Sequence, residues 1–127
     1  MHLMLKWRSK RNNVYELGIL SKENEQYIFK IDEEQLKKAI KDGCMGIGNF
    51  SLLNNVEISN ELFDFFKYRI VSEDSPKLDE MLRKYNLKEY DDMEILKITQ
   101  AKSVNDRYWV EEIWLFSNGT VSFREKK

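Results

Sequence analysis

The chain has 127 residues, 42% of them hydrophobic and 34% charged, enough for one domain with a sizeable core and too few for two. With 21 basic and 22 acidic residues the formal net charge is -1, so no global field draws the chain toward nucleic acid, and charge-driven binding has to be local. One cysteine and one histidine exclude an intramolecular disulfide and a structural zinc set, and the apolar opening Met1 to Leu5 is far shorter than the ~20 residues of a membrane helix. The expectation is a single cytoplasmic domain over 1–127, with no membrane span, no metal and no cofactor.

In chain order, Leu3, Leu5 and Trp7 alternate with His2, Met4 and Lys6 as in a strand, and the polar run Arg8 to Asn13 breaks the pattern as a loop. Val14 to Leu20 reads as a second strand with Tyr15, Leu17 and Ile19 on one face. After the polar turn Ser21 to Glu25, Tyr27, Phe29 and Ile31 mark a third, completing an antiparallel meander with one apolar face. Asp32 with Gln35 three residues on forms a capping-box pattern for a helix whose buried stripe is Leu36, Ala39 and Ile40.

Past Lys41 comes Asp42-Gly43-Cys44-Met45-Gly46-Ile47-Gly48-Asn49-Phe50, the chain's densest glycine cluster and the site of its one cysteine. A dinucleotide fingerprint needs its glycines after a strand and before a helix, and here they follow a helix; a Walker loop fails because no Gly-Lys-Ser or Gly-Lys-Thr occurs. Gly43 instead suits the left-handed position that ends a helix. Cys44 lacks a base, since the sole histidine is His2, so a buried structural thiol is expected and a Ser-His-Asp triad fails for the same reason.

After an irregular segment 43–58, Ser59 is expected to cap a helix carrying Leu62, Phe63, Phe65, Phe66 and Ile70. Ser75-Pro76 opens another through Leu78, Met81, Leu82 and Tyr85 to Asn86, and Asp91 with Glu94 opens a short one through Leu96. Arg107 to Phe116 and Val121 to Phe123 flank Asn118-Gly119 as a hairpin that can join the first sheet. The fold class expected is α+β: an antiparallel sheet of meander plus hairpin, covered by three to four helices.

The carboxylate pairs Glu33-Glu34, Asp91-Asp92 and Glu111-Glu112 are adjacent in sequence. The first two belong to helix starts and the third splits across a strand, so none is a preformed acid/base pair and no catalytic residue is expected. The basic cluster Lys6, Arg8, Lys10, Arg11 beside Trp7 fits either a solvated loop, a protein contact, or phosphate binding with base stacking. Trp109 falls on the opposite strand face from Tyr108 and Trp114, so either one ring is presented to solvent or a partner, or the sheet is covered on both faces.

The segments Tyr15 to Asp32, "YELGILSKENEQYIFKID", and Leu62 to Ile70, "LFDFFKYRI", resemble the N-terminal subdomain of HipA-type kinases, the toxins of a bacterial toxin–antitoxin system. The kinase core has no counterpart: the Gly-rich loop with its lysine, the catalytic loop and the magnesium aspartate are missing from this sequence. Where HipA proteins tend to have a Ser-Leu-Pro-Leu-like stretch, residues 46–53 read "GIGNFSLL". A free-standing subdomain of this kind is similar to the HipS antitoxins, which restrain a separate HipT kinase. More faintly, 75–87 and 103–112 resemble bacterial proteins in which a HipA-like region precedes a HIRAN domain. The resemblance implies a non-enzymatic protein-binding module for a HipA/HipT-like serine/threonine kinase, with a nucleic-acid accessory role as the alternative. The residues expected to carry partner contact are Trp7, Arg8, Asn49, Phe50, Trp109 and Trp114.

Overall fold

The computed structural model describes residues 1–50, 55–115 and 121–123. The chain is α+β. Among the described residues six strands, β1 His2–Arg8, β2 Val14–Glu23, β3 Gln26–Ile31, β4 Val56–Ser59, β5 Tyr108–Leu115 and β6 Val121–Phe123, form one sheet in the order β4-β3-β2-β1-β5-β6, with every neighbouring pair antiparallel. The described residues form four helices, α1 Glu33–Lys41, α2 Asp64–Lys67, α3 Leu78–Lys84 and α4 Asp92–Thr99. The meander and the closing hairpin stand as the alternation implied, with β5 laid against β1. The Asn118-Gly119 turn lies outside the described residues.

The second strand departs from simple alternation. Leu5 pairs with Gly18 and Lys6 with Glu16, so Leu17 is an extra residue in β2, a β-bulge. Leu17 and Leu20 are therefore the fully buried leucines of that strand, while Ile19, expected beside Leu17, sits opposite Met4 on the other face. Gly18 is required where it stands: a Cβ there would lie 2.6 Å from the Lys30 carbonyl oxygen and 2.8 Å from Cζ of Phe29. Phe29 occupies the centre of the core with Leu3, Leu5, Leu17, Leu20, Leu36, Phe66, Leu96 and Val110.

Residues of α1, α2 and α4 enter this core from one face of the sheet through Leu36, Ala39, Phe66, Met93 and Leu96. Asp32 caps α1, its carboxylate accepting from Gln35 N at 3.1 Å, and Asp91 caps α4 in the same way from Glu94 N at 3.2 Å. The expected reciprocal bond of a capping box is replaced, because Gln35 Oε1 accepts from Glu16 N at 3.1 Å beside the bulge. Met4 and Ile113 lie on the second face and are also buried.

Two helix starts shift. Ser59 ends β4 rather than capping a helix, its hydroxyl accepting from Glu61 N, and the aromatic segment contains only the single turn α2 behind Phe63. The aromatic rings dominate that stretch by packing on Phe29 rather than by helical repetition. Ser75-Pro76 makes a turn, with Ser75 Oγ accepting from Lys77 N, and α3 begins two residues later. Asn86 ends α3 with a left-handed φ of 58°, as expected.

Substituting Gly18→Ala is expected to cost about 2 kcal/mol in urea unfolding, since neither contact is the free end of a flexible side chain. The β2–β3 turn holds Asn24 and Glu25 at φ 49° and 65°, a type I′ geometry. Glu25→Gly is therefore expected to raise stability by about 0.5–1 kcal/mol in the same assay.

Candidate functional site

Helix α1 stops in a Schellman motif: Gly43 N donates to Ile40 O at 3.1 Å and Cys44 N to Ala39 O at 2.9 Å, with Gly43 at φ 107°. The glycine segment is thus a helix stop, as its position implied. Cys44 is buried, and its Sγ lies 3.5 Å from the hydroxyl of Tyr108, which in turn donates to Gly46 O. Burial, then the neighbouring Cys44, pushes the Tyr108 hydroxyl well above its ordinary pKa, so it stays protonated and keeps donating. This bond ties the segment to β5. Beyond it Ile47 enters the core, Asn49 is exposed, and Phe50 packs on Phe29 and Phe63 at centroid distances of 4.7 and 5.2 Å.

A second tie fixes the loop between α4 and β5. Arg69, just after α2, sends Nε to Ala101 O at 2.7 Å and grips both carboxylate oxygens of Asp106 at 2.8 and 2.6 Å. Its guanidinium also lies over the Phe65 and Tyr108 rings at 5.3 and 5.6 Å. Four of its five N–H groups are engaged, counting the longer bond to Tyr108 O. The hydrogen bonds from Arg69 hold the Asp106 carboxyl below its ordinary pKa.

The 102–106 loop separates two clefts that share Lys102, Ser103 and Asp106 as walls. The first, of about 800 Å³, is floored by Phe50, Phe63 and Phe65 and rimmed by Asn49, Tyr68 and Glu57. The second, of about 580 Å³, is lined by Arg8, Arg107 and Trp109. The Arg8 guanidinium lies 5.5 Å from the Trp109 ring centroid, and its Nη1 donates to Asn12 at 2.7 Å. Arg107 locks this end of β1 by donating to Arg8 O at 2.7 Å and Ser9 O at 3.1 Å.

Of the residues expected at a partner surface, Arg8, Asn49, Phe50 and Trp109 are brought to these adjoining clefts. Trp7 is not available: it is 6% exposed, inside the core against Tyr15, because it shares the Leu3 and Leu5 face. Trp114 is half exposed but stands at the far end of β5, away from both clefts. Two members of the basic cluster meet carboxylates of the chain itself: Lys6 lies 2.6 Å from Glu111 and 3.9 Å from Glu16, and the exposed Arg11 lies 3.7 Å from Asp42. Arg69, Lys102, Ser103 and Arg107 escaped the sequence reading. Arg69 and Asp106 are 37 positions apart, and no local spacing announces such a pair.

Among the described residues no group of three or more His, Cys, Asp or Glu side chains is placed to hold a metal ion, and no described helix is long and apolar enough to cross a membrane. Arg69→Ala should cost about 3 kcal/mol, since the guanidinium is nearly buried and its removal strands Asp106 and two carbonyls. With its folded pKa lowered, Asp106 stabilises fully above its unfolded value of about 3.9 and loses that contribution as pH falls through the lower folded value. Asp106→Asn should accordingly flatten the fall in stability below about pH 4, read from urea midpoints across the acid range. Comparison of the chain with protein-family models, with curated proteins and with solved structures found no match.

Proposed function

We propose that this chain is a non-enzymatic binding module that docks on a HipA/HipT-like serine/threonine kinase and modulates it within a toxin–antitoxin system, in the cytoplasm. One observation supports docking above the rest: Arg8, Asn49, Phe50 and Trp109, dispersed over a hundred positions, converge on two clefts with a common wall. The wall is clamped by Arg69 and the rim by Arg107, so little ordering is left to be lost on association. Arginine and tryptophan side by side are the residue types that dominate interface energetics. The choice of kinase as partner rests on the resemblance of 15–32 and 62–70 to the HipA subdomain.

A second reading, nucleic-acid association, draws on the second cleft. Arg8, Lys102 and Arg107 line it around Trp109 with no carboxylate partner for any of the three among the described residues. Such a patch suits phosphate contact with a stacked base, although its cations are not those of the amino-terminal cluster alone.

The direct test is complex formation with a purified HipA-type kinase and relief of its toxicity on co-expression. Trp109→Ala and Arg8→Ala should each weaken the complex about tenfold or more, and Trp114→Ala should leave it within about twofold. No complex and unaltered toxicity would sink the kinase reading. Binding to single-stranded DNA or RNA whose salt slope falls by about one for each of Arg8→Ala and Lys102→Ala would move the assignment to the second reading.

A further inference from the structure

β4 is the edge strand at one side of the described sheet, and its register fixes what it presents. Ile31 N donates to Asn55 O at 2.8 Å, and Lys30, Phe29, Ile28 and Tyr27 pair with Val56, Glu57, Ile58 and Ser59 in turn. In an antiparallel ladder each residue turns both backbone groups to the same side, and the side alternates. Asn55, Glu57 and Ser59 therefore face β3, whereas Val56 and Ile58 direct N–H and C=O outward. Their side chains lie on the face away from the helices and are 44% and 60% exposed. Glu57, opposite the core residue Phe29, points to the helix side and lines the aromatic-floored cleft together with Asp64.

We infer that β4 takes up an extended segment of a partner protein as an added antiparallel strand, with a lysine or arginine of that segment directed at Glu57 and Asp64 and apolar residues on either side of it laid over Val56 and Ile58. The backbone groups of Val56 and Ile58 demand an extended chain, and the carboxylates choose the cation. Glu57 would occupy a non-hydrogen-bonded pair of the new ladder, where facing side chains approach most closely. The same geometry disfavours a second copy of this chain. Antiparallel pairing of two β4 strands that joins Val56 of one to Ile58 of the other brings the two Glu57 carboxylates directly opposite each other.

This inference rests on the partner-binding reading and specifies one part of the surface. The probe is an end-blocked Thr-Val-Lys-Val-Thr peptide, with a Glu-centred counterpart, titrated up to about 1 mM against the whole chain while backbone amide shifts are followed. Shifts at 55–60 with the Lys peptide, at least about fivefold weaker with the Glu peptide, are expected, and Glu57→Lys should reverse the preference. Ile58→Pro removes only an outward donor and should abolish binding without lowering the thermal midpoint appreciably. If that variant does not fold, the charge reversal decides. No binding, equal binding of the two peptides, an unreversed preference in Glu57→Lys, or retention of binding by a folded Ile58→Pro overturns the inference. Concentration-dependent self-association abolished by Ile58→Pro also overturns it, assigning the edge to a second copy. A kinase complex that forms unaffected by Ile58→Pro and Glu57→Lys removes β4 from the interface and leaves the kinase reading standing.

Discussion

The extra residue Leu17 in β2 decides where the first helix sits. Beside the bulge the β2–β3 ladder ends at Gly18 and Ile31, and α1 takes over: Glu16 N donates to Gln35 Oε1, and Asp32 N to Leu17 O at 2.9 Å. Both bonds anchor the first turn of α1 directly over the bulge. The slip also changes which residues face inward, so that Gly18 rather than a larger side chain lies beneath the ring of Phe29. A strand without the bulge would carry Ile19 to the core side and Leu20 out of it. The close approach of Phe29 to β2, and the cluster of Phe50, Phe63 and Phe66 around it, follow from that offset.

Helix α1, so anchored, brings its C-terminus to the β1–β2 turn, where Asp42 accepts from Asn13 and Tyr15, and the Schellman turn sends the chain toward β5. Tyr108 catches it through Gly46 O. Arg69 then binds the Asp106 side of the same region from the opposite direction, with Tyr108 and Phe65 between the two ties. The clefts on either side of 102–106 are consequences of these attachments. They stay open because the polar groups that could close them are already committed: Asp106 to Arg69, Glu111 to Lys6, and Arg107 to the carbonyls of Arg8 and Ser9.

Features set by neighbours within four or five residues could be read from the sequence. The cap at Asp32, the cap at Asp91, the stop at Gly43 and the alternation of Leu3, Leu5 and Trp7 all belong to this class. Features set by the ladder could not. Nothing local marks Leu17 as an extra residue, and the short β4, with its four residues half polar, gives too little alternation to stand out from the irregular segment around it. At the candidate site Trp7 belongs to the legible class. Its place beside Arg8 suggests a partner contact, yet the alternation that groups it with Leu3 and Leu5 sends the two side chains to opposite faces, one into the core and one to Trp109.

That division also explains how a chain of formal net charge -1 can keep a local cationic rim. Of the amino-terminal cations, Lys6 points along the sheet face into Glu111 and Glu16, and Arg11 bends to Asp42, whose carboxyl is held below its ordinary pKa by hydrogen bonds from Asn13 and Tyr15. Arg8 is spared because the tight turn over 9–13 closes through Ser9 and Asn13 and leaves it beside Asn12 and the indole. Lys102 and Arg107, from the far end of the chain, complete the rim. The charge available to a partner is therefore chosen by the fold from both ends of the sequence, and because Arg107 spends two of its donors on backbone carbonyls, the rim keeps its geometry before any partner arrives.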